Sequence, residues 1–346
     1  MTLLAKPLNI LILMLFMLAG LAVIAFFQGS VDIPFSKVPG ILSNAWGWPV
    51  AVEGVRPWMQ SVLIDVRMPR IIVGALAGAC LAISGAVMQG MFRNPLASPS
   101  VLGVSSGASL GAVLALYLGV ASVSVWALPA FAFIGATLTL FIVYRIASQR
   151  GHIATGTLLL SGVAIGALNT AISSLVLALS LNNWEVGRMI IYWTMGGLDG
   201  RTWDHVLLLL PFATLGTAAL LLFSKHLDAL LLGEIHAVSI GVNIANTRRW
   251  LLVITAFMVG ATVSVCGAIG FIGLVVPHII RLLIGPHHRF LLPASAIGGA
   301  ITLVGADLLL RTAAPEKAIP LGVATASLGA PFFLFILIKK RWAMQI

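Results

Sequence analysis

Apolar runs of membrane-spanning length recur along the whole chain, divided by short polar breaks. A helix needs about 20 predominantly apolar residues to cross a bilayer. Runs near 9–28, 71–90, 104–118, 125–146, 157–180, 205–224, 250–267, 270–284, 291–310 and 321–338 meet or approach that length. They predict an all-α polytopic membrane protein of about ten transmembrane helices. The third and eighth runs are short and glycine-rich, which predicts tilted or partial spans. The first run follows Lys6, exceeds the apolar core of a secretory signal and lacks a small-x-small cleavage site after it, so it reads as a span.

The polar breaks are informative in turn. Residues 93–111 read RNPLASPSVLGVSSGASLG. Pro95 and Pro99 forbid a continuous helix, and the serines can satisfy freed backbone groups. Residues 93–99 read as a loop, while the Gly/Ser/Ala composition from Val101 onward suits a tightly packed or pathway-lining segment, with Ser105, Ser106 and Gly107 as candidates. Residues 225–249, KHLDALLLGEIHAVSIGVNIANTRR, carry Leu227, Leu230, Leu231 and Ile235 at helical spacing. Their apolar stretch is too short to span, which predicts one or two short helices at the membrane surface: a plain connector, or a docking surface for a soluble partner. The second run places Gly74, Gly78, Ala82, Ala86 and Gly90 on one stripe. That stripe reads as dense packing inside the bundle in preference to a subunit contact. GALAGAC (74–80) and GATVSVC (260–266) form a weak internal echo.

Composition fixes lipid as the outer solvent. Hydrophobic residues make up 60% of the 346 residues and charged residues 9%, far below the roughly 25% of soluble domains. The formal net charge of +10 reflects the Lys/Arg excess of cytoplasmic loops, not nucleic-acid binding. Ten spans bring both termini to one side. Placing them in the cytoplasm puts Lys6, Arg93, Arg145, Arg150, Lys225, Arg248, Arg249, Arg281, Arg289, Lys339, Lys340 and Arg341 inside, the majority of the 20 Lys and Arg. Cys80 and Cys266 read as small buried hydrophobes, and His278, His287 and His288 lack the carboxylate or cysteine company of a metal site. No lysine follows a glycine, so no phosphate loop exists, and no catalytic constellation is present. Arg67, Arg70 and Arg311 fall at the outer face, where they read as anchors or as partners for carboxylates of a docking protein.

The blocks RMPR, GACLAISGAVMQGMFRNPLASPSVLGVSSGA, YWTMGGLDGRTW, LLLGEIHAVSIGV, GAIGFIGLVVPHIIR, HRFLLPASAIGGA and GVATASLGAPFF together resemble the FecCD family, permease subunits of type II ABC importers for ferric siderophores, haem and vitamin B12. The resemblance covers nearly the whole chain. It implies one transmembrane permease domain over 1–346 with cytoplasmic termini, in a bacterial inner membrane, pairing with a second permease subunit, most simply an identical one. It further implies two cytoplasmic ATPases, which would use ATP and Mg, and a periplasmic binding protein; no cofactor is expected on this chain. By the same resemblance 225–249 is a coupling loop, with Gly233, Glu234, His236 and Gly241 meeting the ATPase. Arg67, Arg70 and Arg311 meet the binding protein, and Ala154, Thr155 and Gly156 lie at the cytoplasmic gate. The region around Tyr192–Gly197 matches an outer short helix. The chain departs from the family at Ala318, two residues before Pro320, where many members carry glutamate; Glu316 lies two positions earlier.

The expected function is ATP-driven import of an iron chelate, a ferric siderophore or haem, with cobalamin as the alternative cargo. An ion-coupled secondary carrier is the competing class. It would need ionisable residues at mid-membrane, and only Asp307 comes near.

Overall fold

The computed structural model describes residues 2–29, 31–48, 55–149, 152–153, 155–314 and 319–343. In chain order the helices are α1 (Thr2–Phe27), α2 (Val38–Ala45), α3 (Pro57–Ser61), α4 (Met68–Phe92), α5 (Val104–Tyr117), α6 (Ala127–Ala147), α7 (Thr155–Ser180) and α8 (Trp184–Thr194). They continue as α9 (Trp203–Leu222), α10 (Ser224–Leu231), α11 (Glu234–Ser239), α12 (Ile244–Cys266), α13 (Ile272–Ile284), α14 (His288–Ala313) and α15 (Leu321–Ala343). Two-residue strands at Ser148–Gln149 and His152–Ile153 pair antiparallel between α6 and α7. Among the described residues, seven helices are long and apolar enough to cross a membrane, and the stretches Val104–Tyr117, Ile272–Ile284 and Leu321–Phe335 are shorter apolar helices. They correspond to the ten runs read from the sequence.

One boundary differs. The run expected over 71–90 is part of a continuous helical stretch, Pro57–Phe92, in which α3 passes through a π-helical segment, Val62–Arg67, into α4. Hydropathy stops at Arg67 and Arg70. The helix does not, because both guanidiniums are matched inside the protein. Ahead of it, Ile33, Val38, Ile41, Met59 and Leu63 form a small apolar cluster with Phe26 and Phe27 that packs α2 and α3 over the end of α1.

α4, α12 and much of α14 are buried, while α1, α7 and α9 turn large apolar side chains such as Phe16, Leu160 and Leu207 outward. Between lipid-embedded helices there is no hydrophobic driving force, so close backbone packing has to hold them. The small-residue stripe of α4 supplies it. A Cβ placed on Gly78 would overlap the Gly299 carbonyl of α14, and one on Gly299 would overlap the Gly78 carbonyl. Gly85 meets Gly273 of α13 in the same way. The stripe is therefore internal packing. α4 also packs against α12, with Cys80 and Cys266 both buried as free thiols.

The 93–103 break is stitched by its own polar groups. Arg93 takes a left-handed conformation (φ 50°) at the end of α4. The Leu96 N–H donates to Asn94 Oδ1 at 2.9 Å, and the Ser98 and Ser100 hydroxyls pair at 2.8 Å. A 3₁₀ turn at Pro99–Leu102 and a left-handed Gly103 then lead into α5.

Overpacking a tight core typically costs about 1–3 kcal/mol, so Gly78→Val is expected to lower the apparent melting temperature of the purified protein. Gly20→Val is expected to leave it unchanged, since nothing lies within 4 Å of a Cβ there. Equal melting temperatures for the two variants would contradict the α4–α14 packing described.

Candidate functional site

At one end of the bundle the connector between α9 and α12 folds as two short helices, α10 and α11, joined through Gly233 at φ 117° and released through Gly241 at φ 87°. Both angles lie in a region that favours glycine. Of the four apolar residues singled out there, Leu227 and Leu230 turn inward and are buried, whereas Ile235 is 91% exposed. Leu232, Val238 and Ile240 are exposed beside it. Glu234 opens α11 and accepts from Arg248 Nη2 of α12 at 2.6 Å; His236 is exposed on the same helix. The expected coupling residues thus share one small unit, tied to α12 by an ion pair.

A second tie was not visible in the sequence. Asp228 of α10 accepts from the backbone N–H of His288 (2.8 Å) and from its ring Nδ1 (2.7 Å). The carboxylate therefore sits at the N-terminus of α14, where the helix dipole favours negative charge. Burial alone would push the Asp228 carboxyl up, but the hydrogen bonds from His288 outweigh it and hold the group below its ordinary value. The contribution is present above the ordinary carboxylate range and is lost only as acid titrates Asp228. The His288 ring is buried against Gly90.

At the opposite end the three arginines expected to face outward are engaged inside the chain. Arg67 is 4% exposed. Its guanidinium donates to the Phe26 and Phe27 carbonyls at 2.9 and 2.8 Å, and to Val31 O. The Phe26 and Phe27 carbonyls are the terminal ones of α1, the negative end of its dipole. Arg70 Nη2 reaches Asp307 Oδ1 at 2.7 Å, and Nη1 reaches Asp199 Oδ1 at 2.6 Å. Arg311 Nε lies 3.0 Å from Asp307 Oδ2, an ion-pair contact without hydrogen-bond alignment, and its Nη1 donates to Gln28 O at 3.3 Å. Asp307 is therefore a structural counter-ion shared by two arginines.

Two cavities lie against α8. One, of about 400 Å³, is lined by Ser105, Ser106 and Ser109 of α5, Thr170, Ser173 and Ser174 of α7, and Thr194 of α8, with no charged side chain on its wall among the described residues. Gly107 is turned away, packed against Gly135 and Thr139 of α6. Behind the wall, buried Asn169 donates to Thr139 Oγ1 at 3.0 Å. Sequence reading missed Asn169, Thr170, Ser173 and Ser174. Their signal is a pair of polar i, i+4 steps in an apolar helix. The other cavity, of about 430 Å³, is lined by Leu116, Met189, Tyr192, Trp193, Gly196, Gly197, Asp199, Arg201 and Pro320. Met189, Tyr192 and Trp193 face it from α8, while Ile190 and Thr194 face its neighbour. At the end of α8 three chain breaks meet by backbone alone. Gly197 N–H donates to Cys266 O (2.8 Å) and Gly322 N–H to Gly196 O (3.3 Å). A Cβ on Gly196, Gly267 or Gly322 would strike a carbonyl of another segment.

Of the expected gate residues, Ala154 lies outside the described residues, as do Glu316 and Ala318. Thr155 opens α7, and Gly156 has open space around it.

Ten apolar helices among the described residues, with a short connector at one end that exposes apolar side chains, define a multi-pass membrane permease. A family model of the FecCD transport family matches residues 13–339. The chain belongs to that family. It is 45% identical over 316 residues to a cobalamin import system permease protein, BtuC, of Halobacterium salinarum, covering 89% of this chain and 84% of that one. It is 42% identical over 282 residues to the Fe(3+)-citrate import system permease protein YfmD of Bacillus subtilis, covering 82% and 83%. It also superposes on a solved inward-facing structure of an ABC transporter assigned to the metal-chelate type, with a TM-score of 0.81, 31% identity, and coverage of 96% of this chain and 99% of that one.

Removing one partner of a buried ion pair costs about 3–5 kcal/mol. Asp307→Ala, which removes the buried carboxylate shared by Arg70 and Arg311, is therefore expected to destabilise the protein severely in thermal unfolding. Asp199→Ala is expected to cost ~1 kcal/mol or less, since the Asp199 side chain is 75% exposed. The reverse ranking would contradict the shared counter-ion.

Proposed function

We propose that residues 1–346 form one permease domain of an ATP-driven importer that carries a metal chelate across a bacterial inner membrane. In this reading both termini and the 225–249 connector face the cytoplasm, where two ATPase subunits with Mg-ATP grip α10 and α11. A second permease subunit, an identical chain in the simplest assembly, completes the pathway, and a binding protein delivers cargo at the Arg70 end. The observation that carries the reading is the exposure of Ile235, 91%, with Leu232 and Val238 beside it, on a unit outside the apolar spans. Apolar side chains held in water at such a place suit insertion into a partner's groove. The internal pairing of Asp307 removes the one ionisable residue on which an ion-coupled carrier could have been built.

For the cargo, the relative with 45% identity is named for cobalamin and one with 42% for Fe(3+)-citrate. Cobalamin is accordingly the first reading, and the iron chelate favoured by the sequence alone becomes the second. The uncharged, hydroxyl-lined cavity suits either: serine and threonine can donate or accept, and no fixed charge there would trap a solute in transit.

Copurification with the cognate ATPase is expected to drop by tenfold or more in Ile235→Asp, as for a central interface residue. Glu234→Arg is expected to weaken it too, but it also breaks the pair with Arg248, so Ile235 is the cleaner probe. Undiminished ATPase capture by Ile235→Asp would sink the docking surface. Proteoliposomes holding permease, ATPase and binding protein, offered labelled cobalamin or ferric chelates, decide the cargo. Uptake by the permease without ATP would end the importer reading.

A further inference from the structure

The hydroxyl-lined cavity between α5, α7 and α8 has a hydrogen-bonding polarity that its residue types alone do not reveal. A hydroxyl carries one hydrogen and two acceptor lone pairs. Ser106 donates its hydrogen to Gly103 O at 2.8 Å, Thr170 to Gly166 O at 2.9 Å and Ser173 to Asn169 O at 2.8 Å. Thr194 on α8 reaches Ile190 O and Ile191 O, each at 2.9 Å. Such back-bonding to the preceding turn is the usual resort of serine and threonine in a helix. It leaves these oxygens with lone pairs and no hydrogen to offer a solute. Ser105, Ser109 and Ser174 differ, for their hydroxyls engage no partner among the described residues and can still donate. None of these side chains is buried. Thr170 and Ser174 are exposed and the others half-buried, so a solute in the cavity can reach them.

The wall carries no charged side chain among the described residues. A carboxylate brought here would shed water without meeting a cation, and a metal ion or ammonium would do so without meeting an anion. Unpaired charge is costly to desolvate. A neutral group that both donates and accepts is the better match. A primary carboxamide has two N–H donors and a carbonyl oxygen. The first can be met by the lone pairs of Thr170, Ser173 and Thr194, the second by the free hydroxyls of Ser105, Ser109 and Ser174. The wall is also held in place from behind. Asn169 Nδ2 donates to Ser106 Oγ at 3.4 Å and to Thr139 Oγ1 at 3.0 Å.

We propose that this cavity is a carboxamide-recognition site, which prefers a neutral amide to the carboxylate of the same shape. Thr170, Ser173 and Thr194 set the preference, because oxygens that can only accept favour N–H over a bare carboxylate oxygen. At about 400 Å³ the cavity admits an amide-bearing arm of a larger solute, with Val113, Leu177 and Ile190 as its apolar lining. That the amide is carried by the cargo rests on the importer reading; the preference itself does not.

The test titrates the full-length chain in nanodiscs, without ATPase or binding protein, at neutral pH. The probes are cyanocobalamin, whose periphery bears primary carboxamides, its monocarboxylic acid, in which one of those amides is hydrolysed, and ferric citrate. Cyanocobalamin is expected to bind, the acid to bind tenfold or more weakly, and ferric citrate not to bind. Thr170→Val removes the hydroxyl at nearly constant shape. It is expected to weaken cyanocobalamin several-fold and leave the acid unchanged, so that the gap narrows. Thr194→Val is expected to act likewise and decides the matter where Thr170→Val fails to fold. Thr214→Val deletes the same kind of back-bond, to Leu210 O at 2.8 Å on α9, and is expected to change neither affinity. No binding of cyanocobalamin by wild type, equal affinities for amide and acid, binding of ferric citrate, or an undiminished gap in the cavity variants would overturn the site. Binding without ATP-driven uptake in the reconstituted system would sink the importer reading and leave the site standing.

Discussion

Every polar group that enters hydrocarbon must be met by protein, and that constraint organises both ends of this bundle. The last carbonyls of α1 have no helical partners; Arg67, just ahead of α4, and Arg311 of α14 donate to them and to the residue that follows. Those cations need an anion in turn, and Asp307 serves Arg70 and Arg311 together. The opposite end follows the same logic with the sign reversed. There Asp228 answers the free N–H groups at the start of α14, and Glu234 answers Arg248. Few charges are present because each one requires such an answer.

The middle of the bundle has a different problem. Lipid tails attract an apolar helix as well as another helix does, so side-chain greasiness cannot hold α4 against α14. Backbone contact does, and it requires glycine at Gly78 and Gly299 on facing turns. Where the helices instead break, at 195–197, 266–268 and 320–322, hydrogen bonds between the breaks replace those lost within helices. The two cavities lie on either side of that seam, one carrying serine and threonine hydroxyls and the other Asp199 and Arg201 beside apolar side chains.

Architecture was legible in the sequence because apolar run length reports directly on bilayer thickness. The shortness of the runs at 104–118 and 270–284, and the helical spacing of 225–235, also reappear in α5, α13, α10 and α11. What escaped was pairing. Arg67 and Arg70 look from the sequence like the edge of a span, since charge normally marks an interface; their partners Phe26, Phe27 and Asp307 lie about 40 and 237 positions away. Asp228 and His288 are 60 positions apart and equally silent. The hydroxyl wall was half seen: Ser105 and Ser106 stood out in a polar interruption, while Thr170, Ser173 and Ser174 were diluted by the leucines and isoleucines of α7.

The glycine seam at the end of α8 has an evolutionary corollary. Its contacts are made by peptide groups common to all residues, so the seam holds no vocabulary with which to distinguish one solute from another. Under the importer reading proposed above, selectivity falls to the walls on either side, where serines and threonines can be exchanged without touching the joint. An importer built this way would change its passenger by a handful of substitutions while keeping its machinery intact.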